Sequence, residues 1–423
     1  MSPGQRLAAS VFSFCFLVAG CETSSSNLNT SPPASSSSDE IMPADLTTNM
    51  ALATAAAALG SPLSGLTAAE RARFAAGVTE FSDAEGVDDG LGPVFNEASC
   101  STCHTAPLGG TAGRAETRFG RVSSGLFDPL ANLGGSLMQD HAIGLVHTSA
   151  GDFTFVPEMV PPSANVVALR ITTPLFGLGL VDAVPDDELL QLARREARSA
   201  PSTQGTPSMT TEIKTGATRV GRFGWKAQNP TLHQFAGDAY LNEMGITNPE
   251  FPTENCPQGN CASLAFNPAP AVNDTGDGVT AFTDFMSMLG PPRRGAITRT
   301  TIAGGAVFVG IGCANCHTPI LTTGDSPIAA LSHKAFQPFS DFLLHDMGSL
   351  GDGITQGNAT GRLMRTAPLW GLSSRPVFLH DGRASTPAAA ILAHAGQGQR
   401  ARDRYAALRP GEQAALLAFL KSL

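Results

Sequence analysis

Charge and aromatic rings are scarce in this chain. Of its 423 residues, 15% are Asp, Glu, Lys or Arg, and 6% are aromatic, with two Trp and two Tyr. Basic residues are the scarcer sign, 27 Lys and Arg against 36 Asp and Glu, a formal charge of −9. Without a basic stripe to neutralise phosphates, nucleic acid is excluded as a partner. Beyond residue 20 no apolar run reaches the length that crosses a bilayer. Cysteine is limited to eight residues, few enough to account for singly. What is abundant is Gly, 45 residues, and Pro, 30, so turns and irregular segments should separate modest packed elements. An apolar share of 42% excludes a wholly disordered chain, and the length allows two or three domains.

Residues 1–20 carry Arg6 and then an apolar stretch from Leu7 to Gly20, too short for a span and suited to a secretory signal. The stretch ends in Val18-Ala19-Gly20-Cys21, which resembles the lipobox of bacterial lipoproteins, where the Cys becomes the lipid-modified first residue. The Ser/Pro-rich run from Thr23 to Ser38 suits a flexible tether. The expectation is a signal over 1–20 and a tether over 21–55. The protein would be held on the periplasmic side of a membrane, the outer membrane favoured, by lipid on Cys21. The alternative is an ordinary signal peptide.

In an oxidising compartment Cys256 and Cys261, five residues apart in a Pro/Gly loop, should form a disulfide. Four others form Cys100-Ser-Thr-Cys103-His104 and Cys313-Ala-Asn-Cys316-His317. Cys-x-x-Cys-His is the attachment signature of c-type haem: two thiols add across the vinyl groups, and the adjacent imidazole ligates iron. A four-thiol zinc site would want its two pairs much closer in sequence, and a thioredoxin-like dithiol would want a βαβ context. The cofactors expected are therefore two covalently bound haem c groups, with His104 and His317 on iron.

Thr67-Ala-Ala-Glu70 is a capping box opening a helix through Phe81, and Gly304-Gly-Ala-Val-Phe308 approaches the second motif similarly. Arg170-Ile-Thr-Thr-Pro174-Leu-Phe-Gly-Leu178 recurs as Arg365-Thr-Ala-Pro368-Leu-Trp-Gly-Leu372, at an offset close to that of the two motifs. This order suggests two related haem domains, 56–269 (with a bridging segment) and 270–423. A closing helix is expected over Pro410–Leu423. The expected fold is mainly α, two cytochrome c-like haem domains with long loops.

These motifs, with Phe378-Leu-His380-Asp-Gly-Arg383-Ala, resemble the bacterial di-haem cytochrome c peroxidase superfamily. Within it, Thr173-Pro-Leu-Phe-Gly-Leu-Gly-Leu180, Gly224-Trp-Lys-Ala227, Met244-Gly-Ile-Thr247 and Leu344-His-Asp-Met-Gly348 look like the di-haem oxidoreductase family, sometimes labelled thiol oxidoreductase. The resemblance runs from about residue 60 to 423. It implies that the C-terminal haem receives electrons from a small redox protein and passes them to the N-terminal haem, which meets hydrogen peroxide or another small oxidant. It also raises calcium at the domain interface, for which this chain shows no dense carboxylate loop.

The sixth ligands decide the chemistry, since an iron with a free position can bind peroxide. In the relatives the sixth ligand of the C-terminal haem lies fourteen residues beyond the His of the His-x-Gly run, which from His380 reaches His394. A surface position for His394 is the alternative. At the N-terminal haem the relatives often carry a His sixteen residues after the motif His, which here is Gly120, and the counterpart of His394 would fall in Leu189–Ala200, which has no His, Met or Tyr, leaving Met138, His141, His147, Met159 or an open site. Asp182 and Glu188 stand roughly where the family's distal acid falls, with a helix N-terminal acidic cluster as the alternative. Trp225 is a candidate electron relay, whereas core packing is favoured for Trp370. Arg365 and Arg383 are candidates for the haem propionates, and His345 and His380 for hydrogen bonds near the second haem. The reading is a peroxidase-like di-haem oxidoreductase. Its rivals are a non-catalytic electron carrier and an oxygenase resembling the rubber-cleaving enzymes.

Overall fold

Each Cys-x-x-Cys-His motif follows the same device, a capped helix whose glycine lets a second helix come close. Helix α1, Ala68–Ser82, opens on the expected capping box, with the Thr67 N–H donating to Glu70 and the Glu70 N–H to the Thr67 hydroxyl. Its Phe74, Gly77 and Phe81 are buried at helical spacing. The short helix α2, Cys100–Cys103, then turns the first motif so that the His104 N–H bonds the Cys100 carbonyl at 3.0 Å. Helix α3, Leu232–Met244, and helix α4, Asp277–Met288, complete this core. Phe81 meets Phe285 at a tilt with centroids 4.6 Å apart, and Tyr240 meets Phe282 edge-on at 4.9 Å. A Cβ on Gly77 would stand 2.4 Å from the Ala281 carbonyl oxygen, so the backbones of α1 and α4 can approach this closely only because residue 77 is Gly.

The second motif repeats this. Helix α5, Arg299–Ile311, runs to the Cys313–Asn315 turn through Gly312, whose φ of +96° reverses the chain. Helix α6, Pro387–Ala393, and helix α7, Pro410–Lys421, cover it, and a Cβ on Gly304 would fall 2.0 Å from the Ala415 carbonyl oxygen. Gly77 and Phe81 in α1 thus answer Gly304 and Phe308 in α5. Each Phe faces the histidine of its motif, Phe81–His104 at 5.8 Å and Phe308–His317 at 6.4 Å between centroids.

The computed structural model describes residues 58–105 and 107–423; the signal over 1–20, the lipid-bearing Cys21 and the tether to residue 55 lie outside the described residues. The described residues belong to one compact unit with two main hydrophobic clusters, one around each motif. Among them no helix is long and apolar enough to cross a membrane.

The mainly α expectation fails. Helix accounts for 37% and strand for 16% in several small sheets, and two cytochrome c-like domains are not shown. Most of the strands are too short for an apolar alternation to declare them. The largest sheet is built on β1, Ala115–Ser123, flanked by β2, Leu126–Asp128, β3, Leu137–Met138, and β4, Val166–Ile171. The antiparallel register of β1 and β4 sets Glu116 opposite Arg170. Near the second motif, β5, Leu344–Asp346, pairs with β6, Leu363–Arg365, with His345 opposite Met364. The repeated segments that open on Arg170 and Arg365 therefore begin at the ends of β4 and β6.

Candidate functional site

Among the described residues a large cavity opens at each motif. The first, about 1430 Å³ including its mouth, is lined by Cys100, Cys103 and His104 on one side. Residues of β1, β4 and α3 also line it, among them Glu116, Arg118, Arg170, Asp238 and Glu243. Burial pulls His104 down to about 4, so its imidazole is neutral at physiological pH, as a metal ligand must be. Its buried Nδ1 has no hydrogen-bond partner. Among the described residues, His104 is the only histidine lining this cavity.

Two of the acids lining this cavity, Glu116 and Glu243, are split in charge. Burial, then the neighbouring Glu116 carboxylate, push Glu243 up to about 8. Burial alone would raise Glu116 too, but the Arg118 guanidinium holds it below the usual carboxylate range. Arg118 donates to Glu116 through Nε at 2.8 Å and Nη2 at 3.1 Å, a two-pronged bond. The Glu116 and Glu243 side chains hydrogen-bond each other, and Asn96 Nδ2 donates to Glu243 Oε2 at 2.7 Å. The pair therefore keeps one proton, on Glu243, at neutral pH.

The second cavity, about 1560 Å³ including its mouth, contains two imidazoles besides its flanking His345 and His380. His317 Nδ1 donates to the Phe339 carbonyl at 3.0 Å, and His394 Nδ1 donates to the Ala390 carbonyl at 2.8 Å. Both rings are thereby set in the tautomer that leaves Nε2 as a free electron pair. Burial pulls His317 down to about 4 and lowers His394 as well. Arg365 and Arg375 also line this cavity, and burial lowers each to about 10. Their hydrogen bonds go to backbone carbonyls, and the buried Nε of Arg375 has no partner. Two buried guanidiniums without a carboxylate call for an anion from a ligand.

Trp225 lines both cavities. Its Nε1 donates to the Ile171 carbonyl at the end of β4, 2.9 Å away, and its ring meets the His380 imidazole edge-on at 6.2 Å.

Residues 163–423 match the family described as di-haem oxidoreductase, putative peroxidase. The chain belongs to this family. The match includes the second motif and begins after the first. No curated protein matches the sequence. Among solved structures, hydrazine synthase of Kuenenia stuttgartiensis, pressurised with 20 bar xenon, is similar at 13% identity with a TM-score of 0.37, covering 96% of this chain and 100% of that one. At that score the likeness carries no argument.

Family membership gives this di-haem oxidoreductase a redox role with haem cofactors. The residues fit that group: neutral buried imidazoles beside paired thiols, apolar walls, and guanidiniums that lack an anion. Cys100, Cys103 and His104 would hold one haem, and Cys313, Cys316, His317 and His394 the other.

Other site residues are redistributed. Asp182 does not line either cavity; it is half-buried and accepts the Leu232 N–H at 3.1 Å. Glu188, in the first turn of the Asp186–Ser199 helix, pairs with Arg195 at 3.2 Å, also away from both cavities. This is the helix N-terminal cluster, and the acids that line the cavity with His104 include Glu116 and Glu243 instead. The signals for them were the Glu116-Thr-Arg118 alternation, which a strand turns to one side, and the position of Glu243 before Met244-Gly-Ile-Thr247. Of the ligand candidates for the first site, Met138 lines the cavity, while His141 and His147 pair with Asp140 and Asp152 on the surface and Met159 is 72% exposed. Arg365 is at the second cavity, whereas Arg383 is half-exposed and bonds Asp381. Trp370 packs in the first core against Phe336. Cys256 and Cys261 form the expected disulfide. Among the described residues, the one cluster of three potential metal ligands is Cys316, Asp341 and His345, whose thiol and imidazole do not make an oxygen cage for calcium.

Proposed function

We propose that this di-haem oxidoreductase is an exported, lipid-anchored c-type enzyme that reduces peroxide at its N-terminal site. Cys100, Cys103, Cys313 and Cys316 hold the two haems through thioether bonds, and a small redox protein supplies electrons at the C-terminal site. The observation that carries this reading is the asymmetry of the cavities: the second offers two imidazoles with free Nε2 atoms, the first offers one imidazole in a cavity also lined by a protonated acid. Haem iron supplies a one-electron redox centre at each site and, at the first, an open position for a small oxidant.

The protein's own residues do the rest. Glu243 holds a proton at neutral pH and gives it to the peroxide oxygen that leaves as water. Glu116, kept ionised by Arg118, accepts the hydrogen bond of the Glu243 carboxyl and orients it. His317 and His394 would both hold the second haem, which would keep oxidant away from that site and restrict it to electron transfer. Trp225 stands between the two sites as the relay. Each hydrogen peroxide takes two electrons and two protons and yields two waters.

The stoichiometry tests this. Fully reduced holo-protein, mixed anaerobically with hydrogen peroxide, should reoxidise both haems with one peroxide per protein. A reduced protein that ignores peroxide would overturn the proposal in favour of an electron carrier.

A further inference from the structure

Beside the relay tryptophan lies a fully buried ammonium that neither haem site uses. Lys226 Nζ is bonded by the Leu363 carbonyl at 2.7 Å, the Thr360 carbonyl at 3.1 Å and Asp352 Oδ1 at 2.8 Å. Both side chains of the Lys226–Asp352 pair are 0% exposed. Three N–H donors meet three oxygens, so the cage is complete. The other oxygen of Asp352 accepts from Arg170 Nε at 2.8 Å, and Arg170 lies 4.0 Å from Glu116. The chain of charges thus runs from the acids of the first cavity to β6 at the second.

A buried ion pair is a poor source of stability, because desolvation consumes most of the Coulomb attraction and an apolar side chain would often do as well. Its strength is direction. The turn that carries Trp225 has left-handed residues at both ends, Gly224 with φ +78° and Ala227 with φ +49°, the latter strained for a residue with a Cβ. Such a turn persists only if its surroundings fix it. The fixing bonds come from the second site's strand: the Arg365 N–H donates to the Trp225 carbonyl at 2.9 Å, Arg365 Nε to the Gly224 carbonyl at 2.7 Å, and Lys226 reaches to Leu363. The indole meanwhile is tied to Ile171 on the first site's sheet.

We propose that Lys226 is a positioning residue for electron transfer between the two sites, its ammonium filling a closed oxygen cage that locks the Trp225 turn to β6. This rests on the reading above, in which electrons pass from the second site to the first. In half-reduced holo-protein, the rate of electron transfer between haems after rapid reduction should fall at least tenfold in Lys226→Met. Haem content and the low-spin signature of the second haem should stay as in the wild type. In Lys226→Ala, added propylammonium should restore the rate, because it returns a cation to the cage, whereas tetramethylammonium, which has no N–H, should not. An unchanged rate in a haem-replete Lys226→Met would overturn the role of Lys226 and leave the function standing. Loss of both haems in both variants, without recovery by propylammonium, would also overturn it, since the residue would then be structural only. A wild-type protein that passes no electrons between its haems would refute the functional reading itself, and the positioning role with it.

Discussion

Replacing Glu243 by Gln removes the proton donor of the first site and little else. The Gln carbonyl can still accept from Asn96 Nδ2, and its amide can still donate toward Glu116, so the local hydrogen bonds survive. Glu243 is pushed up to about 8. At pH 7 it is then roughly nine-tenths protonated, where an ordinary glutamic acid would be well under one per cent so. A positioned acid contributes about 10²–10⁴ in rate, or about 3–5 kcal/mol of barrier. Glu243→Gln should therefore slow the peroxide-driven oxidation of reduced protein by that factor, read by stopped-flow absorbance. A carboxyl with a raised value donates below about pH 8 and is spent above it. The wild-type rate should thus be flat to about pH 7 and fall about tenfold per pH unit well above 8, while the variant stays slow and flat. The same proton is linked to stability: it stabilises the fold fully below pH 4.5, and that contribution is lost as pH rises to about 8. Glu243→Gln should consequently gain stability relative to the wild type on going from pH 4.5 to 8.5. A variant rate within twofold of the wild type, or a wild-type rate that climbs above pH 8, would refute the reasoning.

At the second site, His394→Met should raise the haem potential on the order of 0.1 V, within the roughly 0.8 V that axial ligands span, as measured by potentiometric titration. Gly304→Ala, whose Cβ would meet the Ala415 carbonyl at 2.0 Å, should force α5 from α7 and cost about 1–3 kcal/mol in denaturant unfolding. The double change Cys256→Ser with Cys261→Ser opens a loop with a sequence separation of 5, and should cost about 2 kcal/mol while leaving the peroxide rate unchanged.

What could be read in the sequence was what is local. The thiol–imidazole motifs, the Thr67 capping box, the Pro410 helix and the Cys256–Cys261 loop each need only a few consecutive residues, and each appears in the structure. His394 was reached through the His-x-Gly offset and does line the cavity of His317. The short strands were not legible, because two or three residues of alternation look like any loop. With them went the acids of the first site: Glu116 and Arg170 lie in separate segments and meet only through the β1–β4 register. Asp182 and Glu188 stand roughly where the family's distal acid falls, and the fold turns them elsewhere. The Lys226 cage was equally invisible, since two of its three oxygens are backbone carbonyls of β6 and the residues before it.

The central claim is that the two sites differ in coordination. Electron paramagnetic resonance of the holo-protein, oxidised and then half-reduced, before and after peroxide, tests it most directly. The account predicts a low-spin ferric signal from the second haem and a high-spin ferric signal from the first that peroxide consumes. Two low-spin signals in the oxidised protein, with the first haem still low-spin on half-reduction and indifferent to peroxide, would contradict it.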